Sequence, residues 1–203
     1  MKIICVGRNY SEHAKELNNP VPTKPLIFFK PDTAVLRPGR DFYYPEFTKD
    51  LHFECELVLR VGREGKHIEE DFVHKYLDAI GLGIDLTARD IQSEAKTKGW
   101  PWTLAKGFNG SAPVSDFLPI EDFPDLQNLH FRCDINGETR QVGHTADMIF
   151  SAKYLVSYIS RFITLKKGDM IFTGTPKGVG PLQVGDQVTA YLEGEKRLEL
   201  HVK

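Results

Sequence analysis

Across 203 residues the chain carries 26 lysines and arginines against 28 aspartates and glutamates, a formal net charge of −2. That balance argues against a nucleic-acid or acidic-membrane partner, both of which call for a strongly basic surface. With 41% hydrophobic residues, no apolar run near about 18 residues and no signal-like leader, it reads as one cytoplasmic globular domain over 1–203.

Lys2 to Val6 is a short buried strand closed by Gly7. Asn9 to Leu17 reads as a brief helix, with Asn9 and Glu12 spaced as a capping box and Asn18-Asn19-Pro20 as its stop. His13 and Glu16 stand at i and i+3, so they share a face. They form either a solvated ion pair or a His–carboxylate dyad, in which the acid fixes the tautomer of a general base. A helix of about two turns is marginal alone, which suits a lid over about 9–19 that orders when substrate arrives. Leu26-Ile27-Phe28-Phe29 is a strand inside the proline-rich 21–38.

Leu51 to Val61 is the unusual stretch. Strand alternation puts His52, Glu54 and Glu56 on one side and Phe53, Cys55 and Leu57 on the other. The two carboxylates sit roughly 7 Å apart, within reach of one ion. The unbroken apolar run 57–59 suits a strand covered on both faces. A second apolar strand, Ala79 to Ile84, ends on Asp85. Three buried acids repel one another unless a cation sits among them. All-oxygen donors favour a hard ion: Mg²⁺ first, with Mn²⁺ or Ca²⁺ as alternatives.

Between these strands Glu69–Leu77 is expected to be helical, packing Phe72, Val73, Tyr76 and Leu77. Beyond Asp85, Thr87 resembles a helix cap with Asp90 at the third position. Arg89 and Gln92 then fall one and two turns from the acids. Gly99-Trp100-Pro101-Trp102 is a loop, its aromatics read as packing. Lys106, flanked by Gly107, could set an ammonium against an anion. His130–Ile135, Asn136-Gly137 and Thr139–Val142 form a hairpin. Ala146–Phe162 is the longest expected helix, with Met148, Ala152, Leu155, Val156, Ile159 and Phe162 at helical spacing. After the strand Met170–Phe172, the loop Thr173–Gly180 lacks a Gly-Lys-Ser/Thr ending, and Pro176 removes an amide, so a nucleotide cradle is not expected. The tail from Val184 to Val202 is a last hairpin. Cys5, Cys55 and Cys133, odd in number and far apart, are expected as buried free thiols. The class is α+β around mixed sheets.

Several stretches resemble the fumarylacetoacetate hydrolase superfamily nearly end to end. They are G-R-N-Y-S-E-H-A-K-E at Gly7–Glu16, H-F-E-C-E-L at His52–Leu57 and G-I-D-L-T-A-R-D-I-Q at Gly83–Gln92. Lys106-Gly107-Phe108, M-I-F at Met148–Phe150 and G-D-M-I-F-T-G-T-P-K-G-V-G at Gly168–Gly180 add to them. One departure is Asn109, where many members carry aspartate. In size and motif the chain is most similar to the short acylpyruvase and oxaloacetate decarboxylase branch.

That resemblance implies a mixed β-sandwich or β-roll, a homodimer, and Mg²⁺ or Mn²⁺ held by Glu54, Glu56 and Asp85. It implies His13 and Glu16 as a water-activating dyad and Lys106 as a lysine that holds substrate and transition state. Arg89, Gln92 and Thr175 match positions contacting substrate carboxylate and oxo groups. The implied activity is hydrolysis of a C–C bond in an acylpyruvate or related 2-oxo acid, with oxaloacetate decarboxylation beside it. An isomerase or tautomerase of an oxo-diacid is the alternative. A non-catalytic metal-stabilised binding module is the competitor from another class, and a structural metal site has no use for a general base.

Overall fold

The computed structural model describes residues 1–16 and 20–203. Its first half holds β1 (Ile3–Gly7), α1 (Ser11–Glu16), β2 (Leu26–Lys30), β3 (Val35–Leu36), β4 (Leu51–Phe53), β5 (Cys55–Val61), β6 (Leu77–Ile84) and β7 (Thr87–Ala88). Next come α2 (Arg89–Lys98), α3 (Thr103–Lys106), β8 (Ala112–Pro113), β9 (Leu118–Pro119), β10 (His130–Ile135) and β11 (Glu138–His144). The chain ends with α4 (Ala152–Phe162), β12 (Met170–Phe172), β13 (Gly180–Pro181), β14 (Gln187–Leu192) and β15 (Glu195–His201).

Two sheets dominate: a mixed one in the order β2-β1-β12-β5-β6-β9 and an antiparallel one in the order β11-β10-β14-β15. β12 pairs parallel to β1 and antiparallel to β5, so late and early parts of the chain share one sheet. The odd-numbered side chains of β5, Cys55, Leu57, Leu59 and Val61, enter the main core with Phe131, Val188, Leu198 and the α4 stripe Leu155, Val156 and Ile159. Each such side chain, once buried, contributes ~1.5–3 kcal/mol. The opposite face carries Val58 against Ile3, Cys5, Met170 and Phe172. Glu56, two residues before Val58, shares that face. This is the expected α+β arrangement of mixed sheets with few helices. Among the described residues no helix is long and apolar enough to cross a membrane.

Four expectations change. Leu51–Val61 is not one strand: it breaks at Glu54, β4 pairing with β13 and β7 while β5 pairs with β12 and β6. Glu69–Leu77 is a 3-10 turn over Glu70–Lys75, because Leu77 is drawn into β6 opposite Val61. Phe72 consequently points to solvent. The long helix begins only at Ala152, capped by Ser151, whose Oγ accepts the Tyr154 amide at 3.1 Å. Met148 to Phe150 is held extended instead: Tyr10 bridges Met148, and Asn9 takes the Ile149 amide on its carbonyl and the Phe150 amide on its side chain. Asn9 is therefore no helix cap. Its Nδ2 donates to Phe150 O and Thr173 O, fastening three segments at a fully buried point. The expected stop at Asn18-Asn19 lies outside the described residues.

Both hairpins form. Asn136 and Gly137 have φ 53° and 82°, the pair of left-handed residues that a two-residue hairpin turn requires. All three cysteines are buried and free.

Candidate active site

Glu54, Glu56 and Asp85 are all buried, and one carboxylate oxygen from each lies within 4.8 Å of the others. The break in the strand makes this possible. The Asp85 amide donates to Glu54 O at 2.8 Å, and the Cys55 amide turns aside to Gln141 Oε1 at 2.9 Å. Gly83 pairs opposite Glu56, and a Cβ there would stand 2.5 Å from the Phe172 ring, so only glycine lets β6 lie this close.

Cations surround two of the three acids. Lys106 Nζ donates to Asp85 Oδ2 at 2.7 Å, Glu54 Oε2 at 2.9 Å and Thr87 Oγ1 at 2.6 Å. Arg89 Nη2 donates to Glu54 Oε1 at 2.6 Å and its Nη1 to Gln92 Oε1 at 2.7 Å. Burial by itself would raise the Glu54 carboxyl, but Lys106 and then Arg89 outweigh it and hold Glu54 well below the usual range. Burial likewise opposes the charge on Lys106, and Asp85 and Glu54 more than restore it. Asn109 is exposed, and the support of Lys106 comes from Asp85, Glu54 and Thr87.

A second buried lysine, Lys30 at the end of β2, lies beneath. Its Nζ donates to Leu86 O at 3.0 Å, Lys106 O at 2.5 Å and Ser111 O at 2.9 Å. It also sits 2.8 Å from Asp85 Oδ1, but off the direction of a hydrogen bond, so that buried oxygen has no hydrogen-bond partner among the described residues. Burial lowers the Lys30 pKa, with Asp85 opposing.

Glu56 differs. Among the described residues it has no cation within ion-pair distance, and its Oε2 accepts only the Gly174 amide, at 2.7 Å. Gly174 has φ 101°, and a Cβ would come within 2.6 Å of Asn9 Cβ, so glycine is required for that amide to reach the acid. Burial first, then Asp85 and Glu54, push the Glu56 carboxyl well up. A buried acid without a counter-charge among the described residues, beside an Asp85 oxygen without a hydrogen-bond partner, fits one further cation. An all-carboxylate donor set suits Mg²⁺ or Mn²⁺.

The predicted dyad lies at the edge of this cluster. His13 Nδ1 is 3.3 Å from Glu16 Oε2, and the Gly178 amide donates to both Glu16 oxygens at 3.0 and 3.2 Å. His13 is buried, whereas Glu16 is at the surface.

A narrow cleft brings together His13, Glu54, Arg89, Gln92 and Lys106, walled by Phe28 and Trp102. Glu56 and Asp85 join it through Glu54 and Lys106. Thr175 does not line it: its hydroxyl donates to Cys55 O at 2.7 Å and accepts from Gln141 Nε2 at 2.8 Å. Thr87 is not a helix cap. It is a strand residue whose hydroxyl meets Lys106, and α2 starts after Ala88 without a side-chain cap. A wider groove of about 620 Å³ runs along Leu26–Pro31 and Trp100–Thr103, but contains no carboxylate. The histidine, glutamate, arginine and lysine of the candidate site line the narrow cleft.

Lys30 and Gln141 were not found from the sequence. Gln141 is wholly buried and also donates to Pro176 O, yet its neighbour Val142 is exposed, inverting the usual pattern of a half-buried strand. That inversion has no local signal, because every partner of Gln141 is remote in sequence.

Comparison with known proteins identifies the family. The family description Fumarylacetoacetate (FAA) hydrolase C-terminal matches residues 2–203. Oxaloacetate tautomerase FAHD1, mitochondrial, of Mus musculus is 46% identical over 201 residues, covering 99% of this chain and 91% of the relative. Oxaloacetate tautomerase YcgM of Escherichia coli (strain K12) is 43% identical over 194 residues, covering 95% and 89%. The crystal structure of fumarylpyruvate hydrolase from Pseudomonas aeruginosa in complex with Mn²⁺ and pyruvate gives a TM-score of 0.95 at 33% identity, covering 100% of this chain and 89% of that one. Matched in sequence and fold over nearly its whole length, the chain belongs to the fumarylacetoacetate hydrolase family.

Proposed function

We propose that this chain is a divalent-metal-dependent enzyme that forms the enolate of a small 2-oxo acid, tautomerising or decarboxylating oxaloacetate and cleaving acylpyruvates by hydrolysis. The single observation that carries this reading is the buried acid triad with one uncompensated member, set beside a histidine–glutamate pair. Glu54, Glu56 and Asp85 would hold the divalent ion, which would supply Lewis-acid polarisation to a 2-oxo acid. Lys106 and Arg89 hold the donors in place and add positive charge where the enolate oxygen develops. With Nδ1–H turned to Glu16, His13 presents Nε2 as the base. In tautomerisation it takes a proton from C3 and the 2-oxo oxygen gains one. In hydrolysis it takes a proton from water, which attacks the distal carbonyl; the C–C bond breaks and its electron pair leaves with pyruvate.

The sequence put hydrolysis first. The tautomerase names of relatives above 40% identity favour oxaloacetate as an equal candidate. The homodimer belongs to the same reading, and light scattering checks it. The deciding experiment assays oxaloacetate, acetylpyruvate and fumarylpyruvate with Mg²⁺, with Mn²⁺ and after chelation. Enol content, CO₂ and pyruvate are followed separately. Turnover of at least one acid, lost on chelation and restored by the ion, is expected. Turnover indifferent to chelation, or none with any acid, overturns the proposal.

A further inference from the structure

The cations of the site fall into two groups. Lys30, Lys106 and Arg89 each lie within 2.9 Å of a triad carboxylate oxygen. Arg8 and Lys96 also line the cleft, but neither has a carboxylate within ion-pair distance among the described residues.

Neither direction is accidental. Arg8 follows β1 with φ 60°, left-handed backbone that a non-glycine residue adopts at a cost. It is fixed there between the β1 ladder and Asn9, whose side chain is clamped on three sides. Lys96 stands four residues after Gln92 and seven after Arg89 on α2, so one helix face delivers all three to the cleft. Its ammonium lies 5.5 Å from the Trp102 ring centre, a contact that holds a cation without neutralising it. Although the residue as a whole is exposed, partial burial, then Arg89 and Arg8, draw its pKa down to about 8. Glu54 opposes that shift without reversing it.

Charge balance points the same way. Lys30, Lys106 and Arg89, all paired with Glu54 or Asp85, match the three triad carboxylates in number, so a divalent ion would leave net positive charge for the substrate's 1-carboxylate. A substrate with a neutral tail needs nothing more.

We propose that Arg8 and Lys96 form a second anion subsite that receives the distal carboxylate of a dicarboxylic 2-oxo acid, setting a preference for diacids over neutral-tailed acylpyruvates. The inference rests on the 2-oxo acid reading above and names the substrate class within it.

The test uses the Mg²⁺-loaded protein and its Arg8→Asn, Lys96→Gln and double variants; asparagine tolerates the left-handed backbone better than most residues. The readout is the ratio of kcat/KM for oxaloacetate or fumarylpyruvate to that for acetylpyruvate. Losing a charged partner should lower this ratio about tenfold per substitution, mainly through KM. Arg8→Lys and Lys96→Arg should restore part of it. An unchanged ratio, with both substrates weakened equally or neither weakened, overturns the subsite. Binding of oxaloacetate against pyruvate, by calorimetry on Mg²⁺-loaded His13→Ala protein with and without the double substitution, separates the two proposals. If the wild type turns over neither acid class yet binds the diacid more tightly, and the double variant loses that difference, the assigned reaction fails and the subsite stands.

Discussion

Asp85, Glu56 and Lys30 sit at the floor of the cleft on strands or directly beside them, with Lys106 at the end of α3, all almost wholly buried and bonded to several segments. His13 and Glu16 stand on a six-residue helix, where among the described residues Glu16 is tied to the rest by one surface amide, that of Gly178. Holding three like charges together takes fixed geometry and fixed counter-charges, which only the interior of a sheet provides. Delivering a proton to a substrate that must first enter takes a part that can move, and a short helix with few tethers supplies it. Under the proposed function, binding the ion and doing the chemistry fall to these two regions, and substitutions should separate them.

The largest effect is expected at α1. His13→Ala should lower hydrolytic kcat by ~10²–10⁴ while leaving the unfolding free energy within about 1 kcal/mol. Decarboxylation, which needs no attacking water, should fall much less. Equal losses in the two assays would show that His13 is not the base. Next comes the floor: Lys30→Met removes the ion-pair partner of Asp85 Oδ1 and the ammonium donor shared by the carbonyls of Leu86, Lys106 and Ser111. A loss of ~3–5 kcal/mol in metal-free unfolding by urea is expected. An unchanged midpoint would mean the floor is softer than its hydrogen bonds indicate. Gln141→Leu, which cuts the brace between Cys55, Thr175 and Pro176, should cost ~1–3 kcal/mol and weaken metal binding in calorimetry.

Glu56→Gln gives the least disruptive test. The Glu56 carboxyl titrates higher in the folded chain than in the unfolded one, so the folded state binds the extra proton. Metal-free stability should therefore fall as pH rises from the ordinary carboxylate range toward the raised folded value, by up to ~1.4 kcal/mol per pH unit. Glutamine should flatten that slope, and the melting-temperature gain on adding Mg²⁺ should shrink with it. A wild-type slope of the opposite sign would show that some cation already compensates Glu56.

Which parts were legible in the sequence follows from how far each interaction reaches. The triad could be read because acids inside apolar strands contradict their surroundings wherever the partners lie. The contact of His13 with Glu16 followed from a spacing of three, whereas its reading as a dyad rests on the family resemblance. Lys30 could not be read so: a lysine closing Leu-Ile-Phe-Phe before a proline looks like a strand leaving the core, and its acceptors come from three distant segments. Asn9 was misread for the opposite reason. Its local pattern imitates a helix cap, whereas the true partners Phe150 and Thr173 meet it only after the sheet closes. The expected helix at Ala146 failed likewise, since Asn9 and Tyr10 claim residues 148–150 as extended chain.

The pairing of β5 with β12, and of Glu56 with Gly174, bears on how the protein is made. All three acids of the triad are synthesised by residue 85, yet the neighbouring strand and the amide that anchor Glu56 leave the ribosome only with residues 170–174. A nascent chain shorter than that carries the full set of acids while β5 still has one raw edge, and should grip Mg²⁺ less tightly. Capture of the ion should therefore be a late event in biogenesis, and fragments ending before Met170 should fail to retain it.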